Sequence, residues 1–261
     1  MTPQPLILGH RGASSVAPEN TLAAFSRAIT DGADGIEFDV RLSLDQVAVV
    51  IHDSNLKRTG MVDKLVGQST AADLREIDVG RWFARETEGE SVSYEGERLP
   101  VLSEVFELFA GSKGVLYVEM KCESHEGDAL AAEVVRLTRE FKMRDRVVLE
   151  SFDLAAVAAV KRIDTSIRTA ALFEPRLAHP ISTLRGSKMI EKARECGADE
   201  IALHHTLAQS RIIRKALEAS LDVVVWTVDD PRWVPKARLL GIKALIANDP
   251  ASMVRYRDSQ Q

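Results

Sequence analysis

The sequence predicts an α/β fold, a TIM (β/α)8 barrel with a hairpin and an insertion after the second strand. Short apolar runs alternate with amphipathic helical segments almost from end to end, and eight such units in series close naturally into a barrel. The length of 261 residues is also close to the roughly 250 residues of one such barrel. We therefore expect a single domain over residues 1–261.

Eight runs are predicted to form the barrel strands. Runs such as 222–226 and 146–150 are apolar almost throughout, which is typical of parallel strands covered on both faces. An open doubly wound sheet is the alternative, but the glycine-rich nucleotide loop expected after its first strand is missing. The predicted strands are 6–9, 35–39, 115–119, 146–150, 168–173, 200–203, 222–226 and 244–247.

Seven segments between these strands carry helical periodicity. Thr21, Ser103 and Asp153 stand at helix starts, where such residues cap free N–H groups, and several segments end at glycine, as helix C-termini prefer. A further short helix is expected around 70–76. The seven predicted helices are 21–30, 103–110, 128–142, 153–163, 186–196, 207–219 and 231–240.

One stretch interrupts the alternation. The run 47–51 follows the second strand too closely for a crossover helix, because a parallel return needs a dozen or more residues. We expect an antiparallel hairpin turning near residues 44–45, which would place Glu37 directly opposite His52. The charged segment at about 54–100 is expected to be an insertion beside the site.

Composition and charge limit the function classes. The net charge of −5 argues against a nucleic-acid binder, which usually carries a basic face. The two cysteines, Cys122 and Cys196, have no CxxC spacing, which fits a reducing compartment and supports no thiolate zinc site. No signal peptide and no run of ~18 apolar residues is recognised. We expect a cytoplasmic protein without membrane insertion that acts on a small molecule; a homo-oligomer stays open.

Three acidic residues lie at predicted strand ends. Glu37 and Asp39 are two apart on the second strand, so both carboxylates point the same way. Glu119 ends the third strand. Like charges in one site are costly unless a cation neutralises them. Ligation by carboxylates alone favours Mg²⁺ or Ca²⁺ over zinc, so we expect one of these two ions.

Histidines and cationic side chains accompany these acids. His10 and His52 follow the first strand and the hairpin strand, and both are candidates for general acid and base. Arg11 and Lys121 offer donors to phosphate oxygens, and Trp226 is either a core residue or an apolar wall for a substrate. Each of these residues, taken alone, could have a purely structural role; a histidine at a strand end, for example, often only forms a structural hydrogen bond. Together they are the groups that metal-assisted hydrolysis of a phosphate diester requires.

The ordered motifs resemble those of the glycerophosphodiester phosphodiesterase family nearly from end to end. The opening HRGASSVAPENTLAAF resembles the family's HRG…PENT…F block, and GADGIEFDVRLS followed by VVIHDSNLKRTG resembles its next block. ERLPVLSEVF, the VEMK strand, ESF at residues 150–152, the VVWTV strand and the closing NDP follow in the same order.

The resemblance implies metal-dependent hydrolysis of glycerophosphodiesters to glycerol 3-phosphate and an alcohol. It leaves open which histidine is the base, and whether a glycerol hydroxyl or water attacks the phosphate. The implied roles are an acid–base pair in His10 and His52, metal ligands in Glu37, Asp39 and Glu119, phosphate contacts in Arg11 and Lys121, and a substrate contact in Trp226.

Three residues or segments of these motifs carry further expectations. Asn20 either orders the first loop or caps the first helix. The turn 43–46 has no glycine where the family usually has a Lys-Asp-Gly-like turn, so its turn type is expected to differ. Asn248 replaces the usual threonine, a change not expected to affect the chemistry.

Two other functions compete with this interpretation. A lysophospholipase D-type enzyme would need an exposed apolar or basic membrane-docking element, and none is predicted in the insertion. A non-catalytic barrel would be expected to lack a histidine or a carboxylate of the set, and all are present. We therefore expect activity on water-soluble diesters such as glycerophosphocholine or glycerophosphoethanolamine.

Overall fold

The structure, a computed structural model, describes residues 3–83, 85–87, 90–123, 126–175 and 186–260. Its strands are β1 (Leu6–His10), β2 (Gly35–Leu42), β3 (Ala48–Val50), β4 (Arg85–Thr87), β5 (Glu90–Val92), β6 (Val115–Met120), β7 (Val147–Ser151), β8 (Arg168–Phe173), β9 (Glu200–His204), β10 (Asp222–Trp226) and β11 (Ala244–Ala247). Its α-helices are α1 (Leu22–Thr30), α2 (Ala71–Arg75), α3 (Leu102–Leu108), α4 (Gly127–Glu140), α5 (Leu154–Ile163), α6 (Gly186–Glu195), α7 (Ser210–Glu218), α8 (Trp233–Leu240) and α9 (Pro250–Ser259).

Eight parallel strands close into a barrel. Their order is β1, β2, β6, β7, β8, β9, β10 and β11, and β11 pairs in parallel with β1. The order follows the chain because each strand–helix unit adds its strand beside the preceding one. The starts of all eight strands agree with the predicted starts to within one residue. The predicted TIM barrel is confirmed.

Apolar side chains cover both faces of the barrel strands. Successive strand residues point to opposite faces, so alternate residues enter the barrel interior or pack beneath the helices. This double burial explains why the strands are continuous apolar runs in the sequence. Side chains of the interior cluster include Leu8, Val148, Leu172, Val224 and Ile246.

The helices begin largely where their capping residues predict. The side chains of Thr21 and Asp153 accept backbone N–H bonds at the starts of α1 and α5. Ser103 does not cap α3, because that helix starts one residue earlier and the Val101 N–H donates to the Glu104 carboxylate instead. The sequence prediction also missed α9 and the short β4–β5 hairpin.

The predicted hairpin is present, but its predicted register is wrong. β3 runs antiparallel to β2, with Val40 opposite Val50. Continuing this register places Phe38 opposite His52, so Glu37 and His52 are not cross-strand partners. The ladder ends with a bond from the Ile51 N–H to Asp39 O. His52 thus lies beyond the ladder.

The loop between β2 and β3 explains the shift. Its five residues are closed by a bond from the Ser43 N–H to Val47 O, at 3.0 Å, and by one from the Val47 N–H to Ser43 Oγ, at 3.0 Å. Gln46 has φ 62°, a left-handed conformation that glycine adopts most easily. A loop with an odd number of residues is centred on a residue, here Asp45. The predicted turn was centred between residues 44 and 45, so every cross-strand pair differs from the prediction by one position.

The insertion packs against the hairpin through a small apolar cluster of its own. Leu56, Val66 and Leu74 are buried there against Val49 and Ile51 of the hairpin strand and its extension. The short helix predicted around 70–76 is confirmed as α2. Across the described residues, no helix combines the length and hydropathy needed to cross a membrane.

Candidate active site

A cavity of about 210 Å³ lies at the carboxyl ends of the barrel strands, where active sites of this barrel class are built. Seven of the eight predicted site residues line it, and the eighth, Asp39, is buried with 1% of its surface exposed. The lining residues are His10, Arg11, Glu37, His52, Glu119, Lys121, Glu150, Phe152, Leu172, Glu174, Trp226 and Ile246.

The three predicted carboxylates converge. Asp39 on β2 is in register with Glu119 on β6, and Glu37 precedes Asp39 by one full strand period. Each residue offers a carboxylate oxygen, and these oxygens lie within 4.8 Å of one another. Asp39 Oδ1 and Glu119 Oε1 are buried, and Lys121 Nζ is the donor beside them among the described residues, at 3.4 and 2.7 Å. Such a set of oxygen donors fits a hard divalent cation.

Burial and crowding shift the pKa values of these carboxyl groups. Burial, reinforced by the Asp39 charge, raises the pKa of Glu119 to about 7, and burial with Asp39 and Glu119 raises the pKa of Glu37. Burial alone would raise the pKa of Asp39 too, but Lys121 and Arg11 hold it well below its usual value. Protonation therefore relieves part of the repulsion, and a divalent cation would displace those protons.

The two histidines have different partners. His10 Nδ1 lies 2.7 Å from Asn248 Oδ1, and its Nε2 lies 3.8 Å from a Glu37 carboxylate oxygen. His52 Nδ1 lies 2.7 Å from Asp53 Oδ1. Both partner atoms are acceptors, so Nδ1 carries the proton in each neutral ring and Nε2 remains able to exchange a proton with a ligand.

Both rings are neutral at neutral pH. Burial, together with the Arg11 charge, lowers the pKa of His10 to about 4. Burial also lowers the pKa of His52, while the Asp39 charge and the Asp53 hydrogen bond oppose that effect. A carboxylate partner stabilises a protonated imidazole better than an amide oxygen does, so the site is electrostatically asymmetric.

The two predicted phosphate-binding cations lie beside the carboxylates. Arg11 Nη1 is 2.8 Å from Glu19 Oε1, and Arg11 Nε is 3.2 Å from Asp39 Oδ2. Lys121 Nζ is 2.7 Å from Glu119 Oε1 and 3.4 Å from Asp39 Oδ1. These pairs hold both cations at the cavity wall, and each cation has several N–H groups with which it can also meet an anion.

Trp226 lies in an aromatic wall of the cavity. Its ring meets Phe152 edge-on at 5.6 Å and His204 edge-on at 5.2 Å between centroids. Trp226 Nε1 is buried and has no acceptor among the described residues. Leu172 and Ile246 extend this mostly apolar side of the cavity, opposite in character to the charged side.

Asn248 has a contact in the structure that the sequence did not suggest. It was not expected to affect the chemistry, yet its Oδ1 contacts His10. Its Nδ2 donates to Asp229 Oδ2 at 2.8 Å and Ser14 Oγ donates to its Oδ1 at 3.1 Å, which orients the amide. The available signal was its place at the end of the last strand, which a closed barrel returns beside the first.

Two other residues complete the surroundings of the carboxylates. Asn20 donates to Asp39 Oδ2 at 2.8 Å and accepts from the Asp39 N–H at 3.2 Å. It therefore orders the first loop against the site, while Thr21 caps the helix. Glu150, which the sequence did not single out, lies on β7 one residue before its end, beside Glu119, and lines the cavity. Its position in the ESF motif at a strand end could have indicated it.

Comparisons with known proteins agree with this geometry. A family model described as the glycerophosphoryl diester phosphodiesterase family matches residues 10–252. The chain is 30% identical over 250 residues to YhdW of Bacillus subtilis, covering 95% of this chain and 96% of that protein. It is 27% identical over 249 residues to the glycerophosphodiester phosphodiesterase of Caldanaerobacter subterraneus, with 95% and 96% coverage.

A solved structure shares the fold. An Oleispira antarctica phosphodiesterase, in complex with the product sn-glycerol-3-phosphate, superposes with a TM-score of 0.84 at 24% identity, covering 98% of this chain and 97% of that one. The family match spans most of the chain, including all the predicted site residues. This chain therefore belongs to the glycerophosphoryl diester phosphodiesterase family and is an enzyme of that family.

Proposed function

We propose that this enzyme hydrolyses glycerophosphodiesters to glycerol 3-phosphate and an alcohol, using a divalent cation and two histidines. The observation that carries the proposal is the convergence of Glu37, Asp39 and Glu119 in one cavity with His10 and His52. The product bound to the Oleispira antarctica phosphodiesterase supports the same product here. Residues 1–261 would act as one barrel domain, with 54–100 as its insertion.

The three carboxylates would hold Mg²⁺ or Ca²⁺. The convergence of their buried oxygens within 4.8 Å of one another supports this assignment, because hard cations prefer carboxylate oxygens. When bound, the cation would polarise the diester phosphate and stabilise the negative charge that develops on it.

The remaining residues would bind the phosphate and transfer protons. Arg11 and Lys121 donate to its non-bridging oxygens. Nε2 of one neutral histidine removes a proton from the nucleophile, a glycerol hydroxyl or water. The other histidine, after taking up a proton at Nε2 from solvent, protonates the leaving alcohol oxygen. Attack by a glycerol hydroxyl gives a cyclic phosphate, which water then opens with the proton roles reversed. Either route yields glycerol 3-phosphate and the free alcohol.

The substrates would be deacylated, water-soluble diesters such as glycerophosphocholine and glycerophosphoethanolamine. The charged side of the cavity binds the phosphate, and Trp226 offers an apolar wall beside it. None of these residues depends on a particular alcohol, so selectivity for the headgroup is expected to be loose. We propose that the enzyme acts in the cytoplasm, because its two cysteines without CxxC spacing fit a reducing compartment.

One observation favours a second candidate, hydrolysis of lysophospholipids. The sequence predicted no exposed apolar element in the insertion, yet Met61, Val62 and Leu65 are 54%, 41% and 42% exposed, and Leu44 of the hairpin loop is 57% exposed. The test compares kcat/KM for glycerophosphocholine and for lysophosphatidylcholine below its micellar concentration. A tenfold preference for the lipid would replace the proposal.

The cation is tested by removing it. Activity on a panel of glycerophosphodiesters should vanish with chelator and return with Mg²⁺ or Ca²⁺. Replacing Glu37, Asp39 or Glu119 by alanine should abolish turnover while the circular dichroism spectrum stays native. Full activity after exhaustive dialysis against EDTA would contradict the proposal.

A further inference from the structure

Glu150 is a buried carboxyl group that the proposed reaction does not use. Glu150 is 1% exposed and lines the central cavity. Its Oε2 accepts no hydrogen bond within the described part of the chain. A buried polar group without a partner destabilises a fold. Its retention at a cavity wall therefore suggests that a ligand supplies the partner.

The other carboxylates of the site differ from Glu150. Asp39 and Glu119 form ion pairs with Lys121, and Glu37 accepts the Arg11 N–H at 3.2 Å. Glu150 has no cationic nitrogen of the described residues within 4.0 Å. It also lies outside the group of three whose oxygens lie within 4.8 Å of one another. Glu150 thus lies beside Glu119 on the neighbouring strand, but it belongs neither to the group of three nor to an ion pair.

The surroundings of Glu150 indicate the kind of ligand. Leu172 and Ile246, which line the same cavity, are 4% and 1% exposed, whereas the other carboxylate on this side, Glu174, lies at the exposed rim. Glu150 is therefore a buried carboxyl group in a cavity that also has buried apolar walls. Polar groups placed in a ligand pocket fix the orientation of the ligand by hydrogen bonding.

The burial of Glu150 also decides which half of the substrate lies beside it. The alcohol varies in size among glycerophosphodiesters and needs the open rim, whereas the glycerol moiety is constant and fits an enclosed end. The glycerol moiety carries two hydroxyl donors on a short carbon chain, and the Glu150 carboxyl group has an acceptor oxygen in either protonation state. Choline, by contrast, has a quaternary ammonium that donates no N–H bond.

We propose that Glu150 is a specificity-determining residue that accepts hydrogen bonds from the hydroxyl groups of the substrate's glycerol moiety. The inference rests on the proposed function, since it takes the phosphate to bind beside Arg11 and Lys121. A site that pairs a buried acceptor with a substrate hydroxyl rejects analogues lacking that hydroxyl, because the acceptor is then left unpaired.

The test is calorimetric titration with glycerol 3-phosphate and with n-propyl phosphate in Mg²⁺ buffer. The two ligands share a phosphate monoester and differ in the two hydroxyls. The wild type should bind glycerol 3-phosphate about tenfold or more tightly than propyl phosphate. Glu150→Leu should bind the two ligands with about equal affinity, while its affinity for propyl phosphate stays within about threefold of wild type. Its Tm should rise by about 2–4 °C or more, because an unpaired buried carboxyl is removed.

Three controls make the result specific. Glu150→Gln, whose amide oxygen still accepts a hydrogen bond, should keep part of the ratio and remains informative if Glu150→Leu does not fold. Glu174→Leu removes a carboxylate from the rim of the same cavity and should leave the ratio intact. Mg²⁺ affinity should be equal in the wild type and in both Glu150 variants.

Several results would overturn the inference. The first is an unchanged ratio of the two affinities in Glu150→Leu or, if that variant does not fold, in Glu150→Gln. The second is an equal loss of this ratio in Glu174→Leu. The third is a tenfold loss of Mg²⁺ affinity in a Glu150 variant, which would make Glu150 a metal ligand. Equal binding of both phosphates by the wild type would overturn this inference alone. Binding of neither would overturn the proposed function as well.

Discussion

Replacing Glu119 by glutamine should remove a pH-dependent loss of stability from the metal-free enzyme. Burial raises the pKa of Glu119 from 4.5 to about 7 in the folded protein. Its stabilising contribution is therefore complete below pH 4.5 and is lost as the pH rises through about 7. The shift corresponds to about 3 kcal/mol, and the group is only 7% exposed, so solvent screening reduces this little.

Thermal unfolding measures the effect. For a chain of this size, about 3 kcal/mol corresponds to a change in Tm of about 6–12 °C. In EDTA, the Tm of the wild type should fall by about that much more than the Tm of Glu119→Gln between pH 5 and pH 8, because the amide cannot ionise. Mg²⁺ should restore the wild-type Tm more strongly at pH 8 than at pH 5, because at pH 5 it must displace protons.

A matched control separates this effect from general pH sensitivity. Glu195→Gln changes an exposed glutamate at the end of α6 and should follow the wild-type curve throughout. The reasoning is refuted if the wild type and Glu119→Gln show parallel dependences of Tm on pH in EDTA.

Three further predictions concern the histidines. His10→Ala and His52→Ala should each lower kcat by about 10²–10⁴ with native circular dichroism; near-normal rates in both would remove these residues from the mechanism. Asn248→Asp places a carboxylate against His10 and should raise the pKa of His10 from about 4. The corresponding limb of the pH–rate profile should then move to higher pH. An unmoved profile would show that this contact does not tune catalysis. Asp53→Asn removes the acceptor charge beside His52 and should lower the pKa of His52, moving its limb to lower pH. A shift in the opposite direction would contradict the Nδ1–H assignment.

The sequence by itself determined the barrel fold and the end of the barrel at which the site lies. Hydrophobic periodicity is a local property, since it depends only on which neighbouring residues share a face, and it predicted the strand starts to within one residue. Parallel strands present their carboxyl ends at one rim, so residues that end strands, such as His10, Glu119 and Trp226, could be assigned to one cavity without knowing any distance.

Only the tertiary structure decided the register of the hairpin and the contacts of the site residues. The Glu37–His52 pairing failed because loop geometry, here the left-handed Gln46, sets the register of a hairpin, and composition does not reveal whether a loop has four or five residues. The contact between His10 and Asn248 spans 238 positions and exists because β11 closes against β1. The unpaired state of Glu150 likewise depends on what every neighbouring strand places around it. Burial and hydrogen-bond satisfaction are properties of the closed barrel, and they exist only once distant segments have packed together.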